Sequence, residues 1–138
     1  ADAVFNGAVG FLTRIGVPLA GSRVLAVRGR SSGEWRTTPV NPLRVQGMRY
    51  LVAPRGHTQW VKNMRAAGCG ELRKGRTAEA FTAVEVPDAE KAPILRAYLT
   101  AWAWEVGRFF DGVDASSPEE RLREIAPDFP VFRIEAAA

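Results

Sequence analysis

The sequence has only one cysteine, Cys69, and one histidine, His57, among its 138 residues. A single thiol excludes an intrachain disulfide, and one histidine with one cysteine leaves too few ligands for a zinc or iron–sulfur centre. No apolar run approaches the roughly 20 residues that cross a bilayer. Residues 1–16 contain Asp2 and Arg14 and lack the layout of a signal peptide. These absences predict a cytoplasmic protein without a metal site.

The charge that is present is distributed unevenly along the chain. Residues 1–76 hold 13 Lys or Arg against 3 Asp or Glu, whereas residues 77–138 hold 6 against 12. The basic half either faces an anionic partner or is neutralised by the acidic half across the fold. Trp35 and Tyr50 among the basic residues also leave open a nucleic-acid-binding module, whose affinity would fall steeply with salt. Our prediction is that there is no nucleic-acid partner.

The length of 138 residues, with 46% hydrophobic and 25% charged residues, is typical of one soluble globular domain. We therefore predict a single domain over residues 1–138. Helical patterns cover residues 3–15, 58–67, 89–110 and 118–125, with Thr58 and Ser117 as cap residues. Strand-like runs cover residues 23–28, 36–45, 48–53, 71–74, 78–86 and 129–135.

Turn residues separate the first three strand-like runs, which predicts an antiparallel meander. Pro39 and Pro42 lie inside the second run, and proline cannot donate to a ladder, so this strand should be bulged or lie at an edge. The pattern predicts an α+β, mainly β fold: a β-barrel of about six mostly antiparallel strands. It carries an N-terminal helix, a short helix after the third strand and a long C-terminal helix. Trp104 lies off the apolar stripe of that long helix, which indicates an interface or a pocket wall.

Residues 28–36 concentrate the groups that bind oxyanions. Arginine suits phosphate because its planar fork can bond two oxygens, and turn amides add a concave nest. The alternative is a solvated hairpin tip with ordinary turn residues. The segment contains three guanidinium groups, two hydroxyls and two glycines, from Arg28, Gly29, Arg30, Ser31, Ser32, Gly33 and Arg36.

A second segment joins a strand to a helix through Arg55 and Gly56. Free N–H groups of the helix and the Arg55 side chain suit an anion or an electron-rich ring. Trp60 and Asn63 lie three residues apart on one helical face. His57 is interpreted as a residue of the helix start rather than a proton carrier.

The two segments together resemble the deazaflavin-dependent nitroreductase family, whose members are split β-barrels related to pyridoxamine-phosphate-oxidase-like flavoproteins. The resemblance covers about residues 23–75 in order and spacing. The remainder matches only in its layout of a strand, a long helix and a final strand. The matching positions are Gly29-Arg30, Ser32-Gly33, Arg36 and Pro39 in the first motif, and Val52-Ala53, Arg55-Gly56, Trp60 and Asn63 in the second.

The resemblance implies coenzyme F420, an 8-hydroxy-5-deazaflavin, as cofactor, with FMN as the alternative. Its phosphate and acidic tail would lie on Arg30, Ser31, Ser32, Gly33 and Arg36, with Thr38 and Pro39 alongside. Its ring would lie along Ala53, Pro54, Arg55 and Gly56, with Trp60 and Asn63 closing the pocket. The family often has lysine where Ser31 stands, and a tyrosine-rich substrate side where this chain has Tyr98, Trp102 and Trp104.

The implied activity is hydride transfer from reduced F420 to a conjugated acceptor such as a quinone, an enone or a nitro compound. The accompanying proton would come from water or from Tyr98. The alternative is a non-catalytic carrier that binds flavin, deazaflavin or a lipid-like ligand in the same pocket. The expected partner is a small-molecule substrate, with weak association to a membrane surface through a lipophilic substrate. The chain is expected to be a monomer or a homodimer.

Overall fold

The computed structural model describes residues 23–137, except for the side chains of Trp104 and Glu105. The helix predicted over residues 3–15 and the predicted role of the Trp104 side chain lie outside the described residues. Within residues 23–137 there are seven strands: β1 Arg23–Arg28, β2 Trp35–Val40, β3 Leu43–Val45, β4 Met48–Val52, β5 Cys69–Lys74, β6 Thr77–Glu85 and β7 Val131–Ala136. The same part of the chain has three α-helices: α1 Gln59–Ala67, α2 Ala92–Val106 and α3 Glu119–Ile125.

All seven strands form one antiparallel sheet in the order β2-β1-β5-β6-β7-β4-β3. The two edge strands, β2 and β3, are consecutive in the chain and are joined only by Asn41 and Pro42. Three Cα–Cα steps reach at most about 11 Å. The sheet must therefore curl until its two edges meet at this connection, which gives the open barrel that the sequence predicted.

The prediction of one strand over residues 36–45 in a meander is wrong. The run is interrupted at Asn41 and Pro42, and its two halves pair with β1 and β4 at opposite edges of the sheet. The edge position expected from Pro39 and Pro42 is confirmed for β2, in which Pro39 lies opposite Val24. Proline tolerates this location because an edge strand needs ladder hydrogen bonds on one side only.

The barrel interior is filled from both the strands and α1. Alternate residues of each strand point inward, because side chains in a strand alternate between faces. Val61 and Met64 of α1 are at most 1% exposed and pack against the strand residues. Helix α1 thereby closes this core, which consists of Leu25, Val27, Val40, Leu51, Ala53, Val61, Met64, Leu72, Phe81, Phe132 and Ile134.

The long helix packs against the outer face of the sheet. It covers residues 92–106, shorter than the predicted 89–110, because Pro93 stands in its first turn and 3₁₀ turns flank it at Asp88–Glu90 and Gly107–Phe110. Its apolar stripe builds a second core with α3 and with Leu43 and Val52 of the sheet. Among the described residues, no helix is both long enough and apolar enough to cross a membrane.

Neither residue predicted as a helix cap makes a capping hydrogen bond. Thr58 precedes α1, but its Oγ1 is buried and has no hydrogen-bond partner among the described residues. Ser117 lies one residue too early: Pro118 occupies the cap position of α3, and Ser117 Oγ accepts from Asp114 N at 3.0 Å.

Lys91 is a buried cation, with only 3% of its side chain exposed. Its Nζ donates to Asp88 Oδ1 at 2.7 Å and to the Ala126 carbonyl oxygen at 3.0 Å. The two bonds join the start of α2 to the 3₁₀ turn that follows α3. This contact holds the start of α2 against the segment that follows α3.

We expect Lys91→Met to lower the free energy of unfolding by about 1–3 kcal/mol, because the Ala126 carbonyl loses its buried donor. Urea unfolding followed by circular dichroism measures the change. Lys62→Met, at an exposed position of α1, is the matched control. Equal unfolding midpoints for the two variants would show that Lys91 does not hold α2.

Candidate cofactor-binding site

The turn between β1 and β2 is held in one conformation by its own hydrogen bonds. Gly29 N donates to Glu34 O at 2.8 Å, and Gly33 N donates to Gly29 O at 2.9 Å. Arg28 Nη1 donates to Gly33 O at 3.1 Å, and Ser32 Oγ accepts from Glu34 N at 3.1 Å. Gly33 has φ +74°, a conformation that favours glycine. The turn is therefore an ordered structure rather than a loose hairpin tip.

A pocket of about 440 Å³ opens between this turn, β2 and α1. Its lining includes two arginines, four hydroxyl-bearing residues and two residues with side-chain amides, beside an indole. None of its described lining residues is acidic, so the charge of the two arginines is not compensated within the pocket. The lining residues are Val27, Gly29, Arg30, Ser31, Ser32, Arg36, Thr37, Thr38, Gln59, Trp60 and Asn63.

Arg30 is fastened to α1 by two side-chain amides. Asn63 Oδ1 accepts from Arg30 N at 3.1 Å and from Arg30 Nη1 at 2.8 Å. Gln59 Oε1 accepts from Arg30 Nη2 at 2.9 Å. Asn63 is only 5% exposed, so this contact is partly shielded from water. The turn and the helix therefore present their polar groups as one unit.

Trp60 belongs both to the pocket and to the barrel core. Its ring packs at 51° against that of Phe132, with centroids 5.9 Å apart, and the residue is half-buried. This contact fixes the indole as the apolar wall beside the arginines. A flat apolar wall next to an anion site suits a ligand that has an aromatic ring and an acidic arm.

Cation–π contacts of Trp35 support the turn on the outer face of the sheet. Trp35 lies between two guanidinium groups, with Arg28 Cζ 4.0 Å and Arg73 Cζ 5.0 Å from its ring centroid. Arg73 is in turn held by Glu71 at 3.0 Å. These cation–π contacts tie β2 to β1 and β5.

The predicted ring-side residues, Ala53, Pro54, Arg55 and Gly56, form the loop between β4 and α1 and do not line the 440 Å³ pocket. Ala53 N donates to Pro130 O at 2.9 Å. Arg55 Cζ lies 5.5 Å from the ring centroid of Phe109, after the end of α2. The loop thus packs against the segment before β7.

His57 holds the start of α1 in place. Arginine only donates, so His57 Nδ1 accepts from Arg65 Nη1 at 3.2 Å, and Nε2 donates to Pro127 O at 2.9 Å. Arg65 also binds both carboxylate oxygens of Glu85 at 2.7 and 2.8 Å. These bonds lower the pKa of Glu85 and raise that of Arg65. The contacts of His57 are those of a structural residue.

The structure does not bring all of the predicted site residues together. Tyr98 and Trp102 are 1% and 8% exposed and lie in the helix-side core, outside the lining of this pocket. Residues 53–56 lie in the loop described above. Pro39 is buried in β2 and Gly33 lies in the turn. The residues brought together around the pocket are Arg30, Ser31, Ser32, Arg36, Thr38, Trp60 and Asn63.

The sequence reasoning missed Thr37 and Gln59, which also line the pocket. Gln59 precedes Asn63 by four residues, and residues at this spacing share one face of a helix. That spacing, applied from Asn63 toward the helix start, could have identified it.

The curled sheet is also found in solved structures. An F420-H2 dependent reductase (FDR-A) has a TM-score of 0.56 and 20% identity, with 83% of this chain and 94% of the other covered. A structure described as a domain-swapped dimer has 0.60 and 18%, with 97% and 98% covered. A putative pyridoxamine 5'-phosphate oxidase from Listeria innocua has 0.54 and 11%, with 98% and 94% covered. At these identities the likeness shows the fold alone.

Residues 5–109 match the family described as F420H(2)-dependent quinone reductase, and the chain belongs to this family. It is therefore a reductase that depends on coenzyme F420, as the resemblance implied. No protein of curated function matches the sequence significantly.

The pocket fits the acidic arm of such a cofactor. The two arginines and four hydroxyls are donors, acidic residues are lacking among the described lining residues, and Trp60 borders the cluster. Charge-assisted bonds from arginine to an oxyanion are among the stronger hydrogen bonds in proteins. The donor set therefore matches a phosphate-bearing ligand.

We expect Ser31→Lys to tighten F420 binding about twofold to fivefold, because it adds a positive charge at the exposed lip of the pocket. Quenching of deazaflavin fluorescence measures the Kd. Thr77→Lys adds the same charge at an exposed position in β6 and serves as the control. An unchanged Kd for Ser31→Lys would mean that the acidic arm does not pass this position.

Proposed function

We propose that this protein uses reduced F420 to reduce a conjugated acceptor. A quinone is the acceptor proposed first, and an enone or a nitro compound is the alternative. The observation that carries the proposal is the pocket lined by Arg30 and Arg36, by hydroxyl-bearing residues and by Trp60, without an acidic lining residue in the described part of the chain. The family description favours the quinone.

In this proposal the pocket holds the acidic arm of the cofactor and the neighbouring loop holds its ring. The arm lies on Arg30, Ser31, Ser32, Gly33 and Arg36, with Thr38 and Pro39 alongside. The ring lies along Ala53, Pro54, Arg55 and Gly56. Trp60 stands between the two sets and gives the ring an apolar border, while Asn63 acts from α1.

When bound, the reduced cofactor supplies a hydride. The protein's part is to orient and to exclude water. Arg30 and Arg36 bind the charged arm and so fix the distance of the ring from the acceptor. The indole of Trp60, packed on Phe132, limits the access of solvent on one side.

Reduction of the acceptor also needs a proton. Neither the described lining of the pocket nor the proposed ring-side residues 53–56 include a carboxyl, imidazole or phenol group. Tyr98 is 1% exposed and packs against Phe110 with ring centroids 6.3 Å apart. We therefore assign the proton to water rather than to Tyr98.

Two further parts of the proposal concern partners. A lipophilic quinone would bring the protein into weak contact with a membrane surface. A homodimer is proposed because one protein of similar fold is a domain-swapped dimer.

A carrier that binds the cofactor without turnover is the second candidate, because neither the described pocket lining nor the proposed ring-side residues 53–56 include a carboxyl, imidazole or phenol group for proton transfer. The two functions differ in one measurement. An enzyme accelerates the oxidation of reduced F420 by a quinone, whereas a carrier binds reduced F420 and leaves that rate unchanged.

The test begins with titration of F420, FMN and an unrelated oligonucleotide, followed by fluorescence and polarisation. We expect saturable F420 binding at micromolar concentration or below, weaker FMN binding and no saturable oligonucleotide binding. Oxidation of reduced F420 is then followed by absorbance with a quinone, an enone and a nitro compound. Absence of saturable F420 binding would rule out the proposed site.

Arg30→Ala and Arg36→Ala should each weaken F420 binding by about 1.5–3 kcal/mol, since each removes a charge-assisted contact. This corresponds to about a tenfold to hundredfold increase in Kd. Arg76→Ala removes an exposed arginine from the turn between β5 and β6 and is the matched control. If both pocket variants bind as tightly as the control, the arm is bound elsewhere.

Tyr98→Phe should leave kcat with a quinone, and its dependence on pH, within about twofold of the wild-type values. Loss of a general acid would instead lower kcat by about a hundredfold or more. Steady-state rates across a pH series decide the point. A large loss of kcat with a changed pH profile would identify Tyr98 as the proton donor.

A further inference from the structure

The Arg30 guanidinium is held by two neutral oxygens, Asn63 Oδ1 at 2.8 Å and Gln59 Oε1 at 2.9 Å. We infer that Gln59 and Asn63 are positioning residues, which orient Arg30 toward the oxyanion of the bound cofactor without neutralising its charge. This inference rests on the proposed function and concerns how the site achieves its affinity.

The remaining donors of Arg30 support this role. A guanidinium has five N–H donors, of which Nη1 uses one on Asn63 and Nη2 uses one on Gln59. Among the described residues three of its donors have no other partner, enough to bind two oxygens of a phosphate in the bidentate manner that arginine favours. The amides therefore fix the plane of the guanidinium and still leave donors for a ligand.

Two other arginines of this chain are held by carboxylates. Arg49 binds both oxygens of Glu79 at 2.7 and 2.8 Å, and Arg65 binds both oxygens of Glu85 at the same distances. The pKa of each glutamate is lowered, chiefly by its arginine. Such pairs have almost no net charge. At Arg30 the corresponding partners are amides, so the orientation is fixed and the full charge remains.

Asn63 and Gln59 position Arg30 in different ways. Asn63 Oδ1 also accepts from Arg30 N at 3.1 Å, so it positions the turn as well as the guanidinium. Among the described residues the side chain of Gln59 has a hydrogen bond only with the guanidinium, and Gln59 is exposed at the first position of α1. Because Asn63 Oδ1 accepts from both the backbone and the side chain of Arg30, we place its effect on binding through Arg30.

A double-mutant cycle tests this assignment. The Kd for oxidised F420 is measured for Gln59→Ala, Asn63→Ala, Arg30→Ala and the two double variants that contain Arg30→Ala. We expect an increase of about threefold to tenfold for Gln59→Ala and tenfold or more for Asn63→Ala, set by the worth of a bond to a charged group. In the Arg30→Ala background the effect of Gln59→Ala should vanish, and that of Asn63→Ala should fall to less than half. Equal factors in both backgrounds would show direct contacts and overturn the inference.

An isosteric substitution that adds a charge tests whether the affinity depends on the uncompensated charge of Arg30 as well as on its orientation. Gln59→Glu keeps the acceptor for Arg30 Nη2 but adds a negative charge. We expect the Kd to rise about tenfold at low salt, and the difference to shrink as salt is raised. Gln46→Glu makes the same change at an exposed turn position between β3 and β4. If Gln59→Glu binds as the wild type does, charge retention has no role.

Two controls keep the outcomes apart. A deazaflavin that lacks the phosphate-bearing arm should bind all Gln59 and Asn63 variants with wild-type affinity. If the wild type does not bind F420 at all, the proposed function fails; if it binds and only the coupling is absent, the positioning inference alone fails. Asn63 is buried, so thermal unfolding of its variant is recorded, and the Gln59 variants decide the matter if Asn63→Ala does not fold.

Discussion

The shape of this molecule depends on a connection of two residues. Asn41 and Pro42 join β2 to β3, yet these strands are the two edges of the sheet. An open flat sheet of seven strands would separate its edges by about 28 Å, at about 4.7 Å per strand. The short connection is compatible only with a sheet that closes on itself at this end. The curl in turn creates the interior that α1 fills with Val61 and Met64.

The curl also brings the site together. Closing α1 onto the interior places Gln59 and Asn63 beside the turn between β1 and β2, which is 29 to 33 residues away in the chain. The same helix therefore serves the core with one face and the pocket with the other. This dual use explains why the pocket has an apolar border at Trp60 and polar groups on either side of it. A change that loosens the packing of α1 would also release Arg30.

Much of the site was predictable because its residues lie in two continuous segments. Arg30, Ser31, Ser32 and Arg36 share one hairpin, whose turn chemistry is local, and a family resemblance paired it with Trp60 and Asn63. The sequence alone does not specify the long-range contacts of the site. The assignment of Gln59 depends on how closely the hairpin approaches α1, and the placement of residues 53–56 depends on β7. Tyr98 was assigned to the substrate side by the family resemblance, which does not specify how that helix packs in this chain.

The basic turn is rigid although it belongs to an edge strand, and this requires contacts from several directions. Backbone hydrogen bonds close the turn itself. Arg28 and Arg73 make cation–π contacts with Trp35 on the outer face, and Arg30 is hydrogen-bonded to α1 on the inner face. Donors that are already ordered lose little conformational entropy when an anion binds. Because the inner contact uses amides, this order is gained without the loss of charge that a carboxylate would bring. The candidate site therefore depends on the order and the charge of this turn more than on the number of its arginines.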